Sequence, residues 1–231
     1  MSIYVTGDTH HDLDIGKLNK KNFPTQKSMT KNDYVIICGD FGGVWYNKMQ
    51  KNSYILKWWE DKNFTTLFVD GNHENFNMLE SFEIKEWMGG RARFVRPSVI
   101  QLLRGEVYTI GGLKFFTLGG AVSTDKESRL IDVSWWWQEE LYHRDIENAL
   151  NNLNANNNKV DYIITHTAPY SFIENAAYGL KYKSDAHTEF LEKIREDVEF
   201  KKWYSGHFHV DVDVSFDNRL VAVYNKIHRI I

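Results

Sequence analysis

The chain has 231 residues, 42% hydrophobic and 26% charged, with a formal net charge of −3. That is the balance of an ordinary soluble globular protein, and it gives no global basic field for coating nucleic acid or meeting an anionic membrane. A local patch would still suffice for a nucleic-acid substrate, and the length is enough for one well-buried α/β domain.

In chain order, the first apolar run, Ile3–Val5, reads as a buried strand and ends in Gly7-Asp8-Thr9-His10. The stretch Met1–Asp8 lacks the charged and long apolar regions of a signal peptide. A polar segment carrying Lys17, Lys20, Lys21, Lys27 and Lys31 follows; a solvated loop is expected there, with guidance of an anionic substrate as the sharper alternative. Tyr34–Cys38 is the second strand and ends in Gly39-Asp40. Cys38 is the only cysteine, so no disulfide forms within the chain. We expect a buried core thiol, a reducing compartment and a cytoplasmic location. A helix is expected over Asn52–Asp61, a strand over Thr66–Val69 ending in Gly71-Asn72-His73-Glu74, and a helix over Asn75–Trp87.

Arg91, Arg93 and Arg96 come next and could guide substrate as the lysines could. Val99–Leu103, Glu106–Ile110 and Leu113–Leu118 read as hairpin strands, with Gly111-Gly112 as a turn. After Gly119-Gly120, the stretch Thr124–Arg129 is a candidate active-site loop. A helix is expected over Trp135–Asn152. At helical spacing Trp135, Trp136 and Trp137 cannot all face one way, so one or two should be buried and one exposed. Asn151–Asn158 should end that helix and turn. The strand Tyr162–Thr165 ends in His166, a helix covers Thr188–Val198, and the strand Lys202–Ser205 ends in Gly206-His207-Phe208-His209. Val210–Phe216 and Leu220–Ile227 form a last hairpin about Asp217-Asn218. No linker or repeat divides the chain and no apolar stretch reaches the length of a membrane span. We expect one domain over residues 1–231, with two packed sheets and helices outside.

The chemistry lies in where the strands end. Each of the strands ending at Asp8, Asp40, Asn72, His166 and His207 delivers a carboxylate, amide or imidazole past its C-terminal end, the edge where open α/β sheets bind ligands. Asp8 and His10 are two apart, as are His207 and His209, so on extended backbone each pair projects to one side. Oxygen ligands mixed with imidazoles suit Mn, Fe or Zn, and the absence of cysteine argues against a structural zinc site. The set is too large for one tetrahedral ion and suits two divalent metal ions sharing a bridge.

In this ordered series (Gly7–His10, Gly39-Asp40, Gly71–Glu74, His166, Gly206–His209) the chain resembles the calcineurin-like metallophosphoesterases. The resemblance implies a four-layer sandwich of two mixed β-sheets flanked by α-helices, with the metals at one edge. It implies that Asp8, His10 and His209 hold one ion, that Asn72, His166 and His207 hold the other, and that Asp40 bridges them. His73 then stands in the position of the catalytic histidine, expected cationic, stabilising the transition state or protonating the leaving oxygen. Solvent activated between the ions would attack phosphorus in line, with manganese the metal most suited to support activity in vitro.

One departure bears on substrate. The phosphoprotein-phosphatase branch follows Gly-Asp with Asp-Arg-Gly, whereas here the chain runs Gly39-Asp40-Phe41-Gly42-Gly43. Arg129 is the candidate substrate-binding residue in place of that arginine; the plainer reading makes it a surface salt-bridge partner. The leading expectation is hydrolysis of phosphomono- or phosphodiesters, with nucleotide, nucleic acid and phosphoprotein all open. A catalytically silent binding scaffold of the same fold is the alternative, and a dinuclear amide hydrolase fits the order of motifs poorly.

Overall fold

The computed structural model describes residues 1–175, 184–213 and 217–231. In chain order the elements are β1 (Ile3–Thr6), β2 (Tyr34–Cys38), α1 (Met49–Glu60), β3 (Thr65–Val69), α2 (Phe76–Leu79), β4 (Ile84–Trp87), β5 (Gly90–Arg96) and β6 (Val99–Leu102). They continue with β7 (Glu106–Ile110), β8 (Leu113–Leu118), α3 (His143–Ala155), β9 (Tyr162–Thr165), α4 (Tyr170–Asn175) and α5 (Ala186–Asp197). β10 (Lys202–Ser205), β11 (Val212–Asp213), β12 (Leu220–Ala222) and β13 (His228–Arg229) complete the chain.

The strands form a seven-stranded sheet, β13-β1-β2-β3-β6-β5-β4, and a six-stranded sheet, β11-β12-β10-β9-β8-β7. Both are mixed: β1, β2, β3 and β6 run parallel in one, and β8, β9, β10 and β12 in the other. Alternation along each strand decides the layering. Ile3, Val5, Ile36, Cys38, Leu67 and Val69 point inward to meet Phe115, Ile164, Tyr204 and Val221 of the second sheet. The intervening Tyr4, Val35, Ile37 and Phe68 point outward onto Ile55, Leu56 and Trp59 of α1. On the far side Phe116, Ile163 and Trp203 pack against α3 and α5 through Ala149, Leu153, Leu191 and Ile194. Three apolar interfaces thus hold four layers, as the resemblance implied.

Several expected elements take another form. The helix expected over Asn75–Trp87 is one turn, α2, capped by Asn75 Oδ1 accepting Met78 N–H at 3.1 Å. Ile84–Trp87 is instead an edge strand paired with β5 through Met88 and Gly89, both at positive φ; hairpin geometry there overrides helical propensity. The helix expected from Trp135 begins only at His143, because Glu139 turns back to accept the N–H of Trp136. Trp135 and Trp136 are buried and Trp137 is exposed, as expected, though not on a helix. β6 and β7, expected as a hairpin, lie in different sheets. The turn at Gly111-Gly112 does join β7 to β8. Of the strand expected over Leu220–Ile227 only Leu220–Ala222 is β, and residues 214–216 of its expected partner lie outside those described. Among the described residues, no helix is long and apolar enough to cross a membrane.

Candidate metal centre

β1, β2 and β3 lie side by side and parallel, as do β9 and β10, so the loops after all five open at the same edge. The loops are cross-linked there by backbone: Thr9 N–H and His10 N–H both donate to Asp40 O, at 3.0 and 2.8 Å, and Gly206 N–H donates to His166 O at 2.9 Å. Glycines let these loops approach one another closely. A Cβ on Gly39, at φ +87°, would stand 2.1 Å from His166 Nδ1, and a Cβ on Gly71 would stand 2.0 Å from Asp40 Oδ1. His10, Asp40, His207 and His209 also take positive φ, a cost borne where backbone is bent to aim a side chain.

Asp8, His10, Asp40 and His209 each offer a ligand atom, all within 4.8 Å of one another. His10 Nε2 lies 3.1 Å from Asp40 Oδ2, and His209 Nε2 lies 3.2 Å from Asp8 Oδ2. On the other side of Asp40, His166 Nε2 is 3.3 Å from Oδ1 and 2.9 Å from Asn72 Oδ1. The ring of His207 crosses that of His166 at 4.9 Å. Two ligands each about 2.1 Å from one ion stand roughly 3.0–3.4 Å apart, so these separations fit the edges of coordination polyhedra. The nitrogen and oxygen donor set suits Mn, Fe or Zn.

The outward nitrogens are tied down. His10 Nδ1 meets Asp14 Oδ2 at 2.7 Å and His166 Nδ1 donates to Cys38 O at 2.8 Å, which aims each Nε2 inward. His207 N–H is shared between the two Asp8 oxygens at 3.0 and 3.1 Å. Glu74, fully buried, accepts Phe41 N–H at 2.7 Å and Gly42 N–H at 3.0 Å and so fixes the loop that carries Asp40.

Without metal the charges are met by protons. Burial would raise the Asp40 carboxyl, yet His166 and His10 hold it well below the usual range. Burial would lower His10 and His166, yet Asp40 and Asp8 raise both to about 9. His207, buried beside a cationic His166, falls to about 3. Positive charge is demanded between the carboxylates, as a cation site requires.

His73 N–H donates to Asp40 Oδ1 at 2.8 Å, and its ring lines a small polar cavity of about 170 Å³ with Asp40, Asn72, His207 and His209. The expectation that His73 is cationic is corrected. Arg129 Nη2 donates to His73 Nδ1 at 2.7 Å, and a guanidinium can only donate, so that nitrogen must keep its lone pair. Burial first, then Arg129, lowers the His73 pKa. Both observations favour a neutral ring with its proton on Nε2.

Arg129 is a salt-bridge partner, as the plainer reading has it, but not on the surface: its side chain is 10% exposed and lies 3.2 Å from the buried Glu139. Lys17, placed by the sequence in a solvated loop, is buried with Nζ donating to Asp8 O at 2.6 Å. Arg91 and Arg93 are engaged on β5, by Glu106 at 2.7 Å and Gln101 at 2.7 Å. Sequence reasoning missed Asp14, Ser123, Glu139 and Tyr224 as partners of the site. The i,i+4 spacing of His10 and Asp14 was the one local signal.

A family model described as calcineurin-like phosphoesterase matches residues 1–211. No curated protein matches the chain. Among solved structures, a putative 5'-nucleotidase from Staphylococcus aureus superposes with a TM-score of 0.54 at 12% identity, covering 99% of this chain and 50% of its own. The chain thus spans half the length of that neighbour, and the likeness shows the fold. The phosphopantetheinyl hydrolase of Mycobacterium tuberculosis gives a TM-score of 0.41 at 17% identity, covering 96% of this chain and 89% of its own.

Proposed function

The chain belongs to the calcineurin-like phosphoesterase family, and we propose that it hydrolyses phosphomono- or phosphodiesters with two divalent metal ions. The observation that supports two ions is Asp40, whose oxygens face two ligand groups. Oδ2 lies beside His10, and Oδ1 lies beside His166 with its partner Asn72. In this reading Asp8, His10 and His209 hold one ion, Asn72, His166 and His207 the other, and Asp40 is shared. Mn, Fe and Zn all fit, and Mn is the ion we propose for activity in vitro.

Bound, the ions supply an activated water nucleophile and positive charge for the phosphoryl oxygens. The chain's residues do the rest. Asn72 contributes a neutral carbonyl, leaving more net positive charge for a phosphate than a carboxylate would. His73, neutral and held by Arg129, presents Nε2–H as the donor for charge developing on the leaving oxygen. Arg129 acts on His73 and not as a free clamp on phosphate, since its guanidinium is already taken by Glu139 and Ser123. The single buried cysteine, Cys38, supports a reducing, cytoplasmic setting as part of the proposal.

The test is hydrolysis of p-nitrophenyl phosphate and of its bis-p-nitrophenyl diester by chelated protein, with and without Mn²⁺. Manganese-dependent turnover supports the reading, and the preferred ester directs the search toward monoesters or toward nucleotides and nucleic acids. Protein that binds no metal and turns over neither ester overturns it.

A further inference from the structure

Asn72 ligates through Oδ1 only if its amide does not turn over, and the amide alone has little preference between its two orientations. Ser123 makes the choice. Its Oγ accepts Asn72 Nδ2 at 3.0 Å, and it can do so because its own proton is committed to Glu139 Oε2. Arg129 makes a second choice, setting the proton of His73 on Nε2, and it is held by the same carboxylate with Nη1 3.2 Å from Oε2 and 3.4 Å from Oε1. Glu139 is fully buried and fixed further by Trp136 N–H at 3.1 Å. Of these partners Ser123 ends on Asn72 and Arg129 ends on His73, and Arg129 Nη1 also donates to Ser123 Oγ at 2.9 Å, so one buried carboxylate holds both routes.

We propose that Glu139 is a positioning residue that fixes the Asn72 amide through Ser123 and the His73 ring through Arg129 at once. The inference rests on the metal-dependent reading above. A glutamine at 139 offers one acceptor oxygen in place of two. Facing its NH₂ to Ser123 turns the hydroxyl round to donate toward Asn72, which then presents nitrogen to the ion. Facing it to Arg129 releases the guanidinium from His73.

The experiment is calorimetric titration of Mn²⁺ into chelated full-length protein, read beside kcat and KM at saturating Mn²⁺ and the thermal midpoint of the metal-free form. Ser123→Ala should weaken one of the two ions about 10- to 100-fold, the usual cost of losing an outer partner of a ligand. The other ion should be unchanged, and Ser123→Thr should restore the affinity. Arg129→Lys should bind both ions normally and lose kcat with KM little changed. Glu139→Gln should show both defects together. Wild-type protein that binds two ions, beside Glu139→Gln and Ser123→Ala proteins that match it, overturns this inference alone. So does equal weakening of both ions with a fallen metal-free midpoint, which marks a general structural loss. Wild-type protein that binds no Mn²⁺ overturns the functional reading, and this inference with it.

Discussion

The ring of Tyr224 lies flat against the ring of His209, with centroids 4.8 Å apart and planes 12° from parallel. The same side chain donates its hydroxyl to Asp14 Oδ1 at 3.0 Å, while the other oxygen of Asp14 holds His10 Nδ1. One tyrosine therefore orients two candidate ligands of one ion. His209 is half exposed, so the stacking face is a main restraint on its ring.

Tyr224→Ala should lower Mn²⁺ affinity about 10- to 100-fold at one of two ions, in the range seen when outer-shell partners are removed. Tyr224→Phe keeps the stacking and loses only the bond to Asp14, so its loss should be smaller. Calorimetric titration of chelated protein measures both. Wild-type affinity in the alanine variant would contradict this role.

The hydrogen bond from His73 to Asp40 is made by the backbone N–H, so replacing the side chain leaves that bond in place. His73→Ala should retain two bound ions and lose turnover by roughly 10²–10³, the usual cost of one donor to developing charge. Metal analysis beside steady-state kinetics checks it, and an inactive variant that has also lost metal refutes the division of roles.

Metal uptake should rise with pH. In the metal-free protein His10 and His166 stay protonated up to about 9, against an ordinary value of 6.5, and each must release a proton to ligate. The linkage has the same sign: the stability these raised values give the metal-free fold is complete below pH 6.5 and lost as pH rises through 9. His207, held down near 3, acts on the acid side, with a contribution present above 6.5 and lost as pH falls toward 3. The rise in thermal midpoint on adding Mn²⁺ should therefore grow from about pH 6 to about pH 8.5. A rise that does not vary with pH counts against the ligand set.

Glu74 sits in the same motif as Asn72 and His73 but works on backbone. Glu74→Gln keeps size and leaves one of the two N–H groups of Phe41 and Gly42 facing an amide NH₂, a loss of about 1–3 kcal/mol for an unsatisfied buried donor. Denaturant unfolding of the metal-free protein should show that loss, and an unchanged midpoint would rule it out. Burial and the nearby Asp40 raise the Glu74 carboxyl to about 8. The wild-type protein should accordingly lose this group's stabilising contribution as pH climbs from 4.5 toward 8.

What could be read from sequence was local. Glycine followed by a ligand-type residue at the end of an apolar run marks a strand delivering a side chain to a sheet edge, and an unbroken run of β-branched and apolar residues such as Tyr34–Cys38 or Thr65–Val69 marks a strand buried on both faces. Those signals sufficed for the layers and for the residues gathered at the centre. They did not suffice for Ile84–Trp87, whose helical composition gave way to pairing with β5. Nor did they reach the protonation of His73 or the tasks of Arg129, Glu139 and Tyr224. A ring's charge is set by what faces it, and Arg129 meets His73 across 56 residues of chain while Tyr224 meets Asp14 across 210. No spacing rule spans such separations; only the folded packing of one layer against the next decides which side chain becomes another's neighbour.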